Sequence, residues 1–223
     1  MVTADLISSI PLFSTLPKAQ LSLLADCASA RNYPRGSVIL RAGQETDGLY
    51  IMLSGRAKVF MSNEDGREVI LATLGARDFF GEMGLLDEQP RSASVETLED
   101  SSLMRIGKAD FLRCLSDNFD LAMRILLALV KRLRESDRQI ESLALMDVYG
   151  RVARVLLDHA QPVDGQYVIA DPPLKMEIAR MIGASREMVS RVMKDLQQAG
   201  HIQVDKRRIV LFDRLGSRRR GAN

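Results

Sequence analysis

The sequence predicts an α+β protein with a β-rich N-terminal domain, one long helix, and a helical C-terminal domain that ends in a β-hairpin. Eight of the fifteen glycines lie between residues 36 and 84, where they separate short runs of β-type residues. Residues 118–146 carry apolar residues at the 3-4 spacing of a coiled-coil helix. We therefore expect domains at residues 1–117 and 148–223, joined by a helix and hinge over residues 118–147.

The glycine-rich region is predicted to be an antiparallel sandwich or barrel, and its strand spacing fits a jelly roll. The predicted strands cover residues 37–40, 49–53, 57–61, 69–72, 92–98 and 102–106. Residues 3–30 are predicted to form short helices, with Ala28 still at helical spacing.

The long helix has an apolar seam that two polar residues interrupt. Its seam residues are Leu126, Leu129, Leu133, Ile140 and Leu143. Ser136 occupies a seam position and Asp137 lies beside it. A seam of this length needs a partner helix, most simply the same helix of a second subunit. Its polar residues either fix the pairing register or meet another polar group there. We expect a hinge at residues 147–149, with Gly150 breaking the helix.

Two further helices, joined by a tight turn, are predicted between residues 175 and 196. Ala179 is small where the two helices cross, Gly183 permits the turn, and Val189 faces back into the core. This spacing of four and six residues is that of a helix-turn-helix. The hairpin that follows would make it a winged helix-turn-helix.

The polar face of the second of these helices suits the major groove of DNA. It carries Arg186, Glu187, Ser190, Arg191 and Lys194. Arginine donates to O6 and N7 of guanine, and glutamate accepts from N4 of cytosine. Ser185 at the helix N-terminus can hold a phosphate, as can Lys206 and Arg207 at the hairpin tip. A solvated charged face is the alternative reading of this helix.

The charge distribution favours DNA binding. Residues 1–146 contain 17 Lys+Arg and 20 Asp+Glu, a net charge of −3, although the whole chain carries +2. Residues 147–223 contain 14 Lys+Arg and 9 Asp+Glu, a net charge of +5. A basic C-terminal domain, together with the helix-turn-helix spacing and the hairpin, predicts a phosphate-bearing partner.

Composition argues against several other classes of protein. The two cysteines, Cys27 and Cys114, have no metal-ligand spacing, so we expect free thiols in the cytoplasm and no metal. The longest apolar run, residues 125–130, is too short to cross a bilayer, so we expect no membrane partner. Neither a nucleophile–base pair nor a metal cluster stands out, so we expect no enzyme.

A second candidate site follows residue 79. The segment reads Phe80-Gly-Glu-Met-Gly-Leu-Leu86 and is followed by Arg91-Ser-Ala93. Gly81 lets backbone approach a ligand closely, Arg91 and Ser92 can bind a phosphodiester, and Glu82 can accept from a sugar hydroxyl. The same residues fit a glycine turn with a Glu82–Arg91 ion pair and no ligand, and spacing alone leaves both readings open.

Both segments resemble those of the CRP/FNR family of bacterial regulators. The first resembles the phosphate-binding cassette of cyclic-nucleotide-binding domains, and residues 185–191, Ser-Arg-Glu-Met-Val-Ser-Arg, resemble the family's recognition helix. The order of β-roll, long dimer helix and winged helix-turn-helix covers essentially the whole chain. The resemblance implies a homodimeric transcription regulator that binds palindromic TGTGA-like sites in double-stranded DNA under control of a cyclic nucleotide.

The resemblance also assigns roles to residues. It implies ligand-binding positions at Gly81, Glu82, Met83, Arg91, Ser92, Arg132, Ser136 and Asp137, and base-reading positions at Arg186, Glu187 and Arg191. Ser136 and Asp137 match two adjacent polar residues that reach adenine from the two helices of the dimer. Aspartate departs from the serine of the family's cAMP-binding members. An ionised aspartate accepts hydrogen bonds only, so it suits the adenine amino group or the two donors of guanine.

Several ligands and roles stay open at this point. cAMP is the first choice, and cyclic di-GMP, cGMP or no ligand are alternatives. Two cysteines and two distant histidines, His159 and His201, argue against an iron–sulfur cluster. A cyclic-nucleotide module serving an enzyme or a channel would need a catalytic or membrane segment. By the same resemblance, the loop at residues 161–171 is a predicted contact for RNA polymerase.

Overall fold

The computed structural model describes residues 2–205 and 208–212. Its chain divides into two compact units, Met1–Glu135 and Ser136–Asn223. The limits of the three predicted segments, at residues 117 and 147, stay predictions.

The first unit begins with two helices and is otherwise mostly β. In chain order its elements are α1 (Ala4–Ser8), α2 (Lys18–Cys27), β1 (Ala28–Tyr33), β2 (Val38–Leu40), β3 (Gly48–Ser54), β4 (Ala57–Ser62), β5 (Glu68–Leu74), β6 (Phe79–Phe80), α3 (Met83–Leu86), β7 (Ser94–Thr97), β8 (Ser101–Gly107) and α4 (Lys108–Ser116). The helix α5 (Phe119–Leu145) follows and continues into the second unit.

The strands of the first unit form two four-stranded antiparallel sheets. One has the order β1-β8-β3-β6 and the other β2-β7-β4-β5. Alternate side chains of a strand face opposite ways. In β3, Leu49 and Ile51 join the apolar cluster under the helices, while Tyr50 and Met52 join the cluster shared with the second sheet. This strand is buried on both faces and fixes the middle of the domain.

Two strands of the first sheet were not predicted. Ala28 was expected in a helix, but this is wrong: α2 ends at Cys27 and β1 begins at Ala28. Along its length β1 pairs with β8, from Ala28 opposite Ile106 to Tyr33 opposite Ser101. This long-range pairing outweighs the local helical spacing. The short strand β6 pairs with β3 and leads directly into the cassette segment.

The second unit contains the rest of α5 and a helical domain with a small sheet. Its elements are α6 (Val148–His159), β9 (Gln161–Val163), β10 (Gln166–Ile169), α7 (Lys175–Ile182), α8 (Arg186–Gln198), β11 (Ile202–Asp205) and β12 (Arg208–Leu211). The sheet order is β11-β12-β10-β9. The predicted α+β fold, with a two-sheet β-domain, a long helix and a winged helix-turn-helix, is confirmed.

The break between α5 and α6 lies before the residue expected to cause it. Gly150 was predicted to break the helix, but it lies in the first turn of α6. The cap of that helix is Asp147, whose Oδ1 accepts from the Gly150 backbone N–H at 2.8 Å. An N-cap carboxylate satisfies a backbone donor at the start of a helix, so Asp147 ends the connection and begins α6.

Candidate ligand and DNA-binding sites

Two glycines of the cassette are required by close packing. Gly81 has φ +83°, and a Cβ there would lie 2.4 Å from Nη1 of Arg91. At Gly84 a Cβ would lie 2.3 Å from Oγ1 of Thr46 and 2.4 Å from the carbonyl oxygen of Gln89. A side chain at Gly81 would strain the backbone and displace a guanidinium. Gly81 therefore leaves room for the Arg91 side chain, and Gly84 leaves room for Thr46 and the Gln89 backbone.

The Arg91 side chain is buried, with 4% of the residue exposed. Its Nη1 donates to the Gly81 carbonyl at 2.7 Å, and its Nη2 donates to Oδ1 of Asp47 at 2.7 Å and to the Gly48 carbonyl at 2.8 Å. The guanidinium also lies over the Tyr50 ring, 5.8 Å from its centroid. Its Nε has no hydrogen-bond partner among the described residues.

Glu82 is the second buried charge of the cassette, with 1% of the residue exposed. Its Oε1 accepts from Nη1 of Arg132 at 2.5 Å, and Arg132 also donates to the Phe79 carbonyl. The other oxygen, Oε2, is buried and has no partner in the described part of the chain. Glu82 thus pairs with Arg132 and Arg91 with Asp47, so the Glu82–Arg91 ion pair of the ligand-free reading does not form.

The remaining predicted ligand residues differ in position. Met83 is 50% exposed, and the exposed Ser92 places its hydroxyl 3.7 Å from the Met83 sulfur. Both lie with Gly81, Glu82, Arg91 and Arg132 in the first unit. Ser136 and Asp137 are exposed on α5 in the second unit.

Asp47 is a cassette partner that the sequence reasoning missed. Its carboxylate accepts from Arg91 through Oδ1, and from Nε of Arg105 at 3.0 Å and the Tyr50 hydroxyl at 3.1 Å through Oδ2. Burial acts to raise the pKa of Asp47, but the hydrogen bonds from Arg91, Tyr50 and Arg105 outweigh it and lower the pKa. No local spacing pointed to this residue, because its partners are distant in the chain.

The turn of the helix-turn-helix has the predicted geometry. Gly183 is left-handed, with φ +62°, and ends α7. The Ala184 backbone N–H returns to the Ala179 carbonyl at 3.0 Å. Ala179 and Val189 are 2% and 0% exposed, so the small residue at the crossing and the inward-facing valine are confirmed.

Helix α8 separates an apolar face from a charged one. Its buried residues are Val189, Val192, Met193 and Leu196. On the other side Arg186, Glu187, Arg191 and Lys194 are exposed and Ser190 is partly exposed. Ser185 caps the helix, its Oγ accepting from the Met188 backbone N–H at 3.2 Å. Hydrogen bonds from its own backbone N–H and from Ser185 lower the pKa of Glu187, so its carboxylate stays an acceptor.

The wing is described only in part. The strand β11 ends at Asp205 and β12 begins at Arg208, while the predicted phosphate contacts Lys206 and Arg207 lie outside the described residues. A second residue missed from the sequence is Arg151 of α6, whose Nη1 donates to the Ile182 carbonyl at 2.8 Å. It satisfies a carbonyl at the end of α7 and so supports the turn before the recognition helix.

The helix α5 carries large apolar side chains that nothing covers within the chain described. Leu126, Leu133, Ile140 and Leu143 are 53%, 62%, 64% and 49% exposed. Leu129, the remaining seam residue, is partly buried against the core of the first unit. An exposed apolar stripe of this kind is typical of a protein–protein contact.

A membrane-spanning helix and a metal-binding cluster are both absent from the described residues. Within residues 2–205 and 208–212, none of the helices is both long enough and apolar enough to cross a membrane. The same residues contain no group of three or more His, Cys, Asp or Glu side chains arranged to hold a metal ion.

Two domain families match the chain. Residues 30–118 match the cyclic nucleotide-binding domain, and residues 150–216 match the Crp-like helix-turn-helix domain. Together they include both candidate sites, except for Ser136, Asp137 and Arg132.

Three relatives resemble the chain over most of its length. The cAMP-activated global transcriptional regulator Vfr of Pseudomonas aeruginosa is 36% identical over 85% of this chain and 92% of its own. The cAMP-activated global transcriptional regulator CRP of Pasteurella multocida is 34% identical over 81% and 88%. The solved structure of CLP, the c-di-GMP responsive global regulator of Xanthomonas campestris, has a TM-score of 0.68 and 30% identity over 84% and 95%.

Proposed function

We propose that this chain, which belongs to the CRP/FNR family of DNA-binding transcription regulators, is a homodimer whose DNA binding is controlled by a cyclic nucleotide. cAMP is the first choice of ligand. Two relatives that are 36% and 34% identical are named as cAMP-activated, which supports that choice.

The observation that carries the proposal is a pair of buried polar atoms without partners in the cassette. Among the described residues, Oε2 of Glu82 is an unpaired acceptor and Nε of Arg91 an unpaired donor. Each such atom costs about 1–3 kcal/mol when it is buried without a partner. A cyclic nucleotide supplies a ribose hydroxyl and an anionic phosphate. The residues fit such a group, since Oε2 of Glu82 would accept a hydrogen bond from the ribose hydroxyl and Nε of Arg91 would donate one to a phosphate oxygen.

The neighbouring residues complete this binding site. Ser92 adds an exposed hydroxyl donor, and Gly81 lets the backbone lie close to the phosphate. Met83 is exposed and flanks the same site. Arg132 holds Oε1 of Glu82, so the carboxylate presents its other oxygen in a fixed orientation.

The base is proposed to contact Ser136 and Asp137 on the dimer helix, as the resemblance implies. Cyclic di-GMP is the second candidate because of Asp137. An ionised carboxylate accepts hydrogen bonds from the N1–H and the amino group of guanine. The solved relative from Xanthomonas campestris, described as c-di-GMP responsive, supports keeping this candidate.

The homodimer is proposed to form along α5. The exposed leucines and isoleucine of the seam would pair with the same residues of a second copy in a two-fold arrangement. Light scattering on the purified chain should give the mass of two chains, and the mass of a single chain at micromolar concentration would refute the dimer.

On DNA, α8 is proposed to enter the major groove. Arg186, Glu187 and Arg191 would read bases, while Ser185, Ser190 and Lys194 would contact phosphates, with Lys206 and Arg207 as further candidates. A two-fold dimer then reads a palindrome of TGTGA-like half-sites. We further propose that the protein acts in the cytoplasm and that the hairpin formed by residues 161–169 contacts RNA polymerase.

The experiment is a DNA-binding titration with and without cAMP. In fluorescence anisotropy, the wild-type protein should bind a duplex with two TGTGA half-sites at least about tenfold more tightly with cAMP, a coupling of ordinary size. Glu82→Gln should lose most of this gain. Its neutral amide cannot form an ion pair with Arg132, and its NH2 group replaces one of the two acceptor oxygens of the carboxylate. Glu64→Gln, at an exposed turn, is the matched control. An unchanged response in Glu82→Gln would refute the ligand site.

A further inference from the structure

The first unit contains a polar cavity that none of the roles above uses. Its volume is about 250 Å³, and it is lined by Ser29, Arg31, Tyr33, Asp47, Tyr50, Leu103 and Arg105. Alternate residues of a strand share a face, so β1 contributes its lining at every second position. Gly81, Glu82, Arg91 and Ser92 do not line it. Two of its lining residues, Asp47 and Tyr50, contact Arg91, so the cavity adjoins the cassette.

The charges at this cavity favour an anion. Arg31 and Arg105 line it with a single carboxylate, Asp47, and that carboxylate is also bonded to Arg91. Two guanidinium groups, those of Arg91 and Arg105, therefore share one carboxylate, and Arg31 adds a third positive charge beside them. Arg31 is exposed, and no hydrogen bond or ion pair of its side chain is formed with the described residues. A cation at a concave surface without a counter-charge attracts anions.

The cavity also has an apolar part. Leu103 is 2% exposed and Tyr50 8% exposed, and both belong to the apolar cluster between the two sheets. The volume lies below the range of about 300–1,000 Å³ typical of sites for drug-sized ligands, which favours a smaller ligand. A small organic body that carries a phosphate matches both the size and the mixed lining.

We propose that this cavity is a second ligand site, for a small phosphomonoester, with Arg31 and Arg105 binding the phosphate and Tyr33, Tyr50 and Leu103 packing on the organic part. Ser29 adds a hydroxyl donor at the edge of β1. The ligand chemistry is a dianionic phosphate on a short carbon chain.

Asp47 connects this site to the cassette. Its Oδ2 accepts from Arg105 at 3.0 Å and its Oδ1 from Arg91 at 2.7 Å. A phosphate bound to Arg105 competes with Asp47 for that guanidinium. The carboxylate is then held by Arg91 and the Tyr50 hydroxyl, and a stronger pair with Arg91 opposes donation from Arg91 to a second anion. The two sites should therefore be antagonistic, and this part rests on the proposed cyclic-nucleotide function.

Binding is tested by isothermal titration calorimetry of the full chain with glycerol 3-phosphate and with inorganic phosphate. We expect saturable binding of glycerol 3-phosphate, tighter than that of inorganic phosphate because only the former has an organic part. Arg31→Gln should weaken it at least about tenfold, as expected for a lost charge-assisted hydrogen bond.

Arg35→Gln is the matched control, since Arg35 is an exposed arginine four positions along that does not line the cavity. It should bind glycerol 3-phosphate like the wild type. Equal weakening in the two variants would mean a general charge effect and would overturn the site. So would no saturable binding by the wild type, and equal affinity for the two probes would overturn the organic part of the ligand.

Antagonism is tested by measuring the affinity for cAMP with and without saturating glycerol 3-phosphate. We expect cAMP to bind at least about fivefold more weakly in its presence, and the effect to vanish in Asp47→Asn. Unchanged cAMP affinity in the wild type would overturn the coupling. If glycerol 3-phosphate binds through Arg31 but no cyclic nucleotide binds, the proposed function is refuted and this second site stands. If a cyclic nucleotide binds but glycerol 3-phosphate does not, only the second site is refuted.

Discussion

In the cassette, the charged side chains are buried and each is paired with a residue from another part of the chain, whereas on α8 the charged side chains are exposed to solvent. Glu82 and Arg91 are 1% and 4% exposed, and their partners Arg132 and Asp47 come from distant parts of the chain. On α8 the predicted base-reading residues are exposed, and the buried residues of the helix are apolar. The difference means that substitutions in the cassette should change folding and binding together, while substitutions on α8 should change DNA binding alone.

The largest effect is expected at Arg91. Arg91→Ala leaves Oδ1 of Asp47 and two backbone carbonyls without the donor that Arg91 provides, so it should destabilise the chain by about 3 kcal/mol, the low end for breaking a buried ion pair. The low end applies because the Asp47 side chain is 49% exposed and can be hydrated. Urea unfolding measures this loss, and the affinity for cyclic nucleotide should fall as well. Arg35→Ala, at an exposed position, is the control. Equal stability of the two variants would contradict the claim that substitutions in the cassette change folding.

The next effect is on DNA recognition. Arg186→Ala should cost about 1–3 kcal/mol of binding free energy and relax the preference at one base pair of each half-site. Because Arg186 is exposed, its free energy of unfolding should stay within about 0.5 kcal/mol of the wild type. Anisotropy titrations on duplexes with single base changes measure the first quantity. A loss that is uniform across all sequences would instead identify Arg186 as a phosphate contact.

The smallest effect concerns pH. The folded state lowers the pKa of Asp47, so its carboxylate contributes stability above the unfolded pKa of about 3.9 and loses it as the pH falls through the lower folded pKa. Asp47→Asn should therefore be less stable than the wild type by at most about 1 kcal/mol at pH 7, since the side chain is half-exposed and screened by solvent.

That difference should shrink when unfolding is repeated near pH 3, where the unfolded-state carboxyl is protonated. Asp26→Asn, another exposed position, should show little difference at either pH. A stability loss in Asp47→Asn that is the same at both pH values would contradict the role of its charge.

The sequence predicted the features of α8 but not the ion pairs of the cassette. Ser185, Gly183 and the two faces of α8 follow from local rules of capping, turn geometry and helical period, and the structure has them where they were predicted. The pairs Arg91–Asp47 and Glu82–Arg132 join residues 44 and 50 positions apart. No periodicity connects such residues, and only the folding of the first unit, including the start of α5, brings them together.

The missed strand has the same explanation. From Ala28 onward, the side-chain spacing is compatible with a continued helix, and the pairing with β8 decides otherwise. At Gly150 a local rule was applied to the wrong residue, because Asp147 provides a cap that starts the next helix three positions earlier. Composition rules identify breaks in a chain better than they identify which residue makes the break.

The central claim is that the first unit binds a cyclic nucleotide through Glu82 and Arg91. Isothermal titration calorimetry of the purified protein with cAMP tests it most directly. We predict saturable binding near one molecule per subunit in the wild type and greatly weakened binding in Arg91→Ala. No saturable heat with cAMP, cGMP or cyclic di-GMP would contradict the claim, and the unpaired atoms of Glu82 and Arg91 would then need another partner.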